Sequence, residues 1–281
     1  MSSVLQAERA ALLNAARAEG MSVRGALHAE WTKLRTVPGP AWLLLAVPVL
    51  TIAVSAGAAA ATHCPAGMTC PVDVTRLSLA GVQFGQAVVA ILAVLAFGSE
   101  YSTGMMSLTL AAIPRRHAVL AAKALLIGGL VLVAGVVAVL GSLVAGHLIL
   151  PANGFTAARG FPAVWLSHGP ALRAASGSVL YLALIALLAL GVSAMVRDPA
   201  VSMGAVLAML YLFPILVAFV SQAQWQHRLE RWTPTIAGLT IQDTIGLRGL
   251  AITPWAGLGV LALWAAAAIL GGALALRLRD A

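Results

Sequence analysis

The run ALLIGGLVLVAGVVAVLGSLVAGHLILPANGFTAA, residues 124–158, contains no Asp, Glu, Lys or Arg. A helix rises about 1.5 Å per residue and crosses a hydrocarbon core of about 30 Å in roughly 20 residues. This stretch is therefore long enough to span a bilayer. Five further charge-free runs of at least 23 residues flank it, at 36–72, 77–99, 174–196, 199–227 and 249–276. The next in length, 101–114, has 14 residues and is too short. The reading is an all-α polytopic bundle with six transmembrane helices, near 41–61, 79–98, 122–149, 174–196, 200–220 and 255–276. Continuous apolar runs lack the period-two alternation of a lipid-facing barrel strand.

Composition agrees. The 281 residues are 61% hydrophobic and 9% charged, with a mean hydropathy of +0.96. An average soluble domain carries roughly 25% charged residues, so lipid must be the solvent for most of this surface.

Charge sets the expected orientation. With the amino terminus inside, 11 of the 17 Lys and Arg residues fall on inner segments, among them Lys33, Arg35, Arg115, Arg116, Lys123, Arg197 and Arg277. Three of the other six, Arg228, Arg231 and Arg248, lie in the long segment after the fifth span, where charge weighs less on orientation. Both termini are expected to be cytoplasmic in a multi-pass cell-membrane protein. The net charge of +8 then faces anionic lipid and is no nucleic-acid footprint.

A single domain with a short amino-terminal extension follows. Residues 1–20 read as a helix-prone extension, dispensable if Met21 is the start. Residues 21–281 read as one transmembrane domain. In MSVRGALHAEWTKLRTVPGP (21–40), Val23, Leu27, Trp31 and Leu34 share one helical face, which predicts an amphipathic helix in the membrane interface before the first span.

Cys64 and Cys70 fall together in the first outer loop, HCPAGMTCP, where thiols oxidise. A bridge there stabilises by roughly 2–3 kcal/mol in the chain-entropy model; two unpaired thiols are the alternative. His63 beside them does not by itself make a metal site, and no metal or other cofactor is expected. Gln83 and Gln86, three apart on the second span, are candidate pathway residues, with helix–helix hydrogen bonding as the alternative. Ala134, Ala138, Ser142 and Gly146 form a small-residue stripe along the third span. Pro48 and Pro214 are expected kinks in the first and fifth. The segment 221–253 reads as short helices on or dipping into the outer face.

The inner segment GSEYSTGMMSLTLAAIPRRHAVLAAK, residues 98–123, contains a stretch of helix length that is apolar on nearly every side and too short to span. Met105, Leu108 and Ala112 share one face; Met106, Leu110 and Ile113 share another. Such a helix has to be covered, by headgroups or by a protein partner. In the tight turn MVRDPAVS, Asp198 suits the cap and Pro199 the first turn of the fifth span.

Chemistry-bearing motifs are missing. There is no GxxxxGK[ST], so no nucleotide site of the P-loop kind, and no HExxH, CxxC or GxSxG. No Asp or Glu lies mid-span to serve a proton relay.

In AEWTKLRT before the first span, EYSTGMMSLTLAAIPRR with Lys123 after the second, ALGVSAMVRDPA at the fourth-to-fifth turn and the tail ITPWAGLGVLALW to RLRDA, the chain resembles the permease subunits of type-2 ABC exporters of the bacterial drug and natural-product efflux kind. The resemblance runs from about Met21 to the carboxyl terminus. It implies an elbow helix, six spans, a second permease half (identical or paralogous) and a separate cytoplasmic ABC ATPase whose hydrolysis drives alternating access and outward movement of a substrate. The chain is then a transport subunit and not an enzyme. The resemblance implies a coupling role for Glu100, Tyr101, Gly104, Pro114, Arg115 and Arg116, and the apolar faces carry Met105, Met106, Leu110 and Ile113 into the same element. Gly104-Met105-Met106 stands where the family more often has Gly-Thr and a β-branched residue. A gradient-driven transporter or channel, or a membrane-embedded enzyme, are the alternatives.

Overall fold

The computed structural model describes residues 38–65, 70–102, 116–161 and 169–278. Those residues form helices and connecting loops, with no strand among them. The elbow helix, the extension 1–20 and most of the segment after the second span lie outside the described residues.

Helix α1 (Pro38–Ala61) runs to the bridge between Cys64 and Cys70. Helix α2 (Val74–Ser78) is a single turn capped by Asp73, and α3 (Val82–Ser102) follows. Helix α4 (Arg116–Ile149) is the longest of the described helices at 34 residues, and α5 (Gly169–Val196) returns alongside it. Helix α6 (Pro199–Leu207) continues through a π-helical turn, Ala208–Leu212, into α7 (Phe213–Ala218). Two short helices, α8 (Ala223–Trp232) and α9 (Pro234–Leu239), precede the last, α10 (Pro254–Leu278).

Five of these rods are long and apolar enough to cross a bilayer: Gly39–Ala61, Val119–Ile149, Gly169–Val196, Pro199–Ala218 and Pro254–Leu278. The remaining expected span, the second, contributes a shorter apolar core, Val82–Gly98. It starts three residues later than expected because the chain spends Val74–Ser78 on α2 and then turns. The assembly is a multi-pass helical membrane bundle.

The hub is α5, which packs against α3, α4, α6 and α10. Its apolar window is 67% buried, against 22–33% for the other four long rods. The seam with α10 is made by glycine: a Cβ on Gly191 would lie 2.4 Å from the carbonyl carbon of Ala268. Side chains there would hold the two backbones apart.

Two sets of contacts separate the bundle's ends. At one, the Cys64 N–H donates to Asn153 O at 2.9 Å, the Asn153 amide to Ala59 O at 2.8 Å, and Arg159 to Cys64 O at 2.9 Å. At the other, Lys123 Nζ donates to Ala96 O at 3.0 Å and Arg197 to Ala275 O at 3.0 Å. Asp198 caps α6 there, accepting from Val201 N at 2.7 Å, with Pro199 in the first turn.

The segment between α7 and α10 dips into the bundle. The Trp232 carbonyl accepts from Trp264 Nε1 at 3.0 Å, ten residues into α10 and so about 15 Å from its start. From there the chain climbs back along α5: Gly238 lies against Tyr181, Ile241 against Gly177, and Arg173 donates to the Asp243 carbonyl. Each step moves about one turn toward the start of α5, so residues 233–243 form a re-entrant arm.

Candidate functional site

The climbing arm and α2 flank an open cavity of about 550 Å³ at the disulfide end. Its lining is mixed, with Pro71, Val72, Leu77, Ala80, Leu239, Ile245 and Leu250 supplying the apolar part. Asp73, Arg76, Gln83, Gln242 and Asp243 supply the polar part.

The charged rim is closed on itself. Asp73 accepts from Thr75 N and Arg76 N, each at 3.1 Å, which caps α2. The same carboxylate reaches the arm, accepting from Thr244 N at 2.5 Å, Thr244 Oγ1 at 2.7 Å and Ile245 N at 3.2 Å. Arg76 pairs with Asp243 at 2.6 Å, its own side chain 58% exposed and that of Asp243 only 7%. Burial pushes the Asp243 carboxyl above the usual carboxylate range, while Arg76 and Arg173 pull it back and Asp73 adds to the rise.

Beneath the rim runs a neutral polar layer. Gln242 Nε2 donates to Ser178 Oγ at 3.0 Å, and both residues are buried. Tyr211 donates to the Gln83 carbonyl at 2.5 Å, and Tyr181, fully buried, donates to Gln86 Oε1. The buried Thr235 hydroxyl lies beside the Tyr181 phenol and the Gln86 side chain beside that of Tyr211, so the layer is continuous.

The structure separates the two candidate pathway glutamines. Gln86 is wholly buried in the α3–α5 contact, and Gln83, one turn away, is exposed and lines the cavity. The bridged Cys64 and Cys70 tie down the loop that leads into α2. Of the expected coupling set, Glu100 and Tyr101 are in the last turn of α3 and Arg116 opens α4. Gly104, Met105, Met106, Leu110, Ile113, Pro114 and Arg115 lie outside the described residues. Among the described residues no cluster of three or more His, Cys, Asp or Glu side chains is arranged to hold a metal.

The sequence reading does not single out Tyr181, Tyr211, Thr235 or Gln242. A signal exists for the tyrosines. The chain has three, and two lie within the long charge-free runs, where a phenol hydroxyl has to find an acceptor among the helices.

No family model matches this chain, and no curated protein is significantly similar to it in sequence.

Proposed function

We propose that the chain is the permease subunit of an ABC exporter, moving its substrate outward by alternating access under the control of a separate cytoplasmic ATPase, with a second permease copy or paralogue completing the pathway. In this reading the disulfide end faces outward and both termini are cytoplasmic. The observation that carries it is the segment between α3 and α4. Its sequence, EYSTGMMSLTLAAIPRR, resembles a coupling element. The helices on either side of it, ending at Ser102 and beginning at Arg116, meet at the end opposite the bridge, where Lys123 of α4 reaches Ala96 of α3. A short segment with apolar residues on every side gains by burial in a protein groove, roughly 1.5–3 kcal/mol per large side chain.

Met106→Asp combined with Leu110→Asp places two carboxylates on that surface. Co-purification of the ATPase and transport-linked ATP hydrolysis should both be lost while membrane insertion is kept, and Glu100→Ala should weaken coupling more mildly. Retention of both activities at wild-type levels in the double variant rejects this segment as the docking element.

A further inference from the structure

The cavity at the disulfide end has the build of a small-molecule site, and its electrostatics select the class of ligand. Small-molecule pockets usually measure about 300–1,000 Å³, and this open one, of mixed polar and apolar lining, measures about 550 Å³. We propose that it binds an uncharged amphipathic molecule: an apolar body of ring-system size carrying hydroxyl or carbonyl oxygens.

The charges explain why the ligand is uncharged. Asp73 and Asp243 are matched by Arg76 and Arg173, so the rim is neutral as a set. Asp73 already accepts five hydrogen bonds, leaving little to offer a cationic ligand. An anion would gain from Arg76 only by approaching two carboxylates at the same time. What remains open is neutral: the exposed Gln83 lines the cavity, and its amide both donates and accepts. One turn deeper on α3, the buried Gln86 amide lies between the Tyr181 and Tyr211 hydroxyls, so neutral polarity continues below the cavity. The apolar walls Leu77, Leu239 and Leu250 suit the body of the same molecule.

This inference needs the cavity and not the ATPase, so it stands or falls separately from the exporter reading. The chain's only two cysteines are bridged, which makes the thiol of a Gln83→Cys variant the sole free one in the full-length protein. In lipid nanodiscs, its rate of modification by a membrane-impermeant thiol reagent is measured with three probes of similar bulk. Hydrocortisone is the uncharged, oxygen-bearing probe, cholate its anionic counterpart on a related ring system, and tetraphenylphosphonium the cation. Mass action slows modification by 1 + [L]/Kd, so hydrocortisone should protect about fivefold or more near saturation and the two ions less than about twofold.

Gln222→Cys, on the exposed loop before α8, should show no protection by any probe, which separates binding from a general effect on the bilayer. Ile245→Trp, at a half-exposed wall position, should fill the cavity and remove the hydrocortisone effect. Protection by cholate or tetraphenylphosphonium equal to or above that of hydrocortisone overturns the assignment of class. No protection by hydrocortisone, equal protection in the Gln222→Cys variant, or a Gln83→Cys thiol that never reacts overturns the site.

Discussion

At the scale of single residues, Asp243 carries the most consequential chemistry. It ends the re-entrant arm, its carboxylate takes Arg76 from α2, and its carbonyl takes Arg173 from α5. Three elements that are distant in sequence therefore meet on one residue. Burial raises its pKa on folding more than the two arginines lower it. A group whose pKa rises on folding adds stability that is fully present below its unfolded value and is lost as pH climbs through the folded one. The thermal stability of the wild type relative to Asp243→Asn should therefore fall as pH rises from about 4, the ordinary carboxylate value, toward neutrality. Melting curves of both proteins across that range test it, and a gap that widens with pH would mean that the Arg76 attraction outweighs burial. None of this is legible from charge spacing. In sequence Asp243 is one of several charges in the segment 221–253, read as short helices on or dipping into the outer face, and a sequence does not say which of those charges fold back against a helix.

At the scale of elements, the pattern and the fold agree where a helix has one neighbouring side to cover. Along α4, Val131, Ala134, Gly135, Ala138, Val139, Ser142, Leu143 and Gly146 are buried. Leu132, Val133, Val136, Val137, Leu140, Val144 and Leu148 are exposed to the bilayer. The small-residue stripe read from the sequence is the middle of that buried face. Hydropathy cannot draw this line, because leucine and valine are as welcome in lipid as in a protein core. Pro214 is expected to bend its span; the chain answers with the π-helical turn at 208–212 just before it. That wide turn takes up the missing N–H and the ring's clash with the preceding turn.

Close approach is not confined to the stripe, where a Cβ on Gly146 would meet Ser78 Oγ at 2.1 Å. Gly191 of α5 lies against Ala268 and Ile269 of α10, where an added Cβ would sit 2.4–2.6 Å from backbone atoms that cannot rotate away. Gly191→Ala should cost about 1–3 kcal/mol by overpacking and lower the melting temperature in detergent. Gly128→Ala is the matched control. Its Cβ would meet only Leu187 Cδ2 at an ordinary 3.8 Å, and alanine's better helix propensity should leave stability unchanged or raised. Equal losses in both variants would mean that the α5–α10 seam is not where close approach matters.

For the whole molecule, the two ends of the bundle are tied internally, so one measurement of sidedness orients everything. The loop after α1 is joined to the loop after α4 through Cys64 and Asn153, and α2 to the re-entrant arm through Arg76 and Asp243. At the opposite end, Arg197 reaches α10 and Lys123 reaches α3. The alternation of ends is legible from charge-free runs alone, and the depth of the arm at Thr233–Asp243 is not, since its apolar stretch is too short to announce itself as a span.

Lys and Arg placement supplies the expected sign of the orientation. On the disulfide side, Arg76 and Arg173 are held by Asp243, and Arg159 by the carbonyls of Cys64 and Gly154, so these cations are engaged with the protein itself. The larger group, from Lys33 and Arg35 through Arg115 and Arg116 to Arg277 and Arg279, is assigned by the alternation of spans to the other end, where an anionic cytoplasmic leaflet would attract it. A reporter fused at residue 110 should therefore be active only inside the cell. In intact cells Gln222→Cys should react with an impermeant thiol reagent, and Cys64 and Cys70 should react only after reduction. A reporter at 110 active only outside, with the thiol at position 222 protected, would invert the bundle and remove the ATPase from reach of the segment assigned to it. Positions 110 and 222 found on the same side would contradict the packing itself, because α4, α5 and the α6–α7 rod must then fail to alternate.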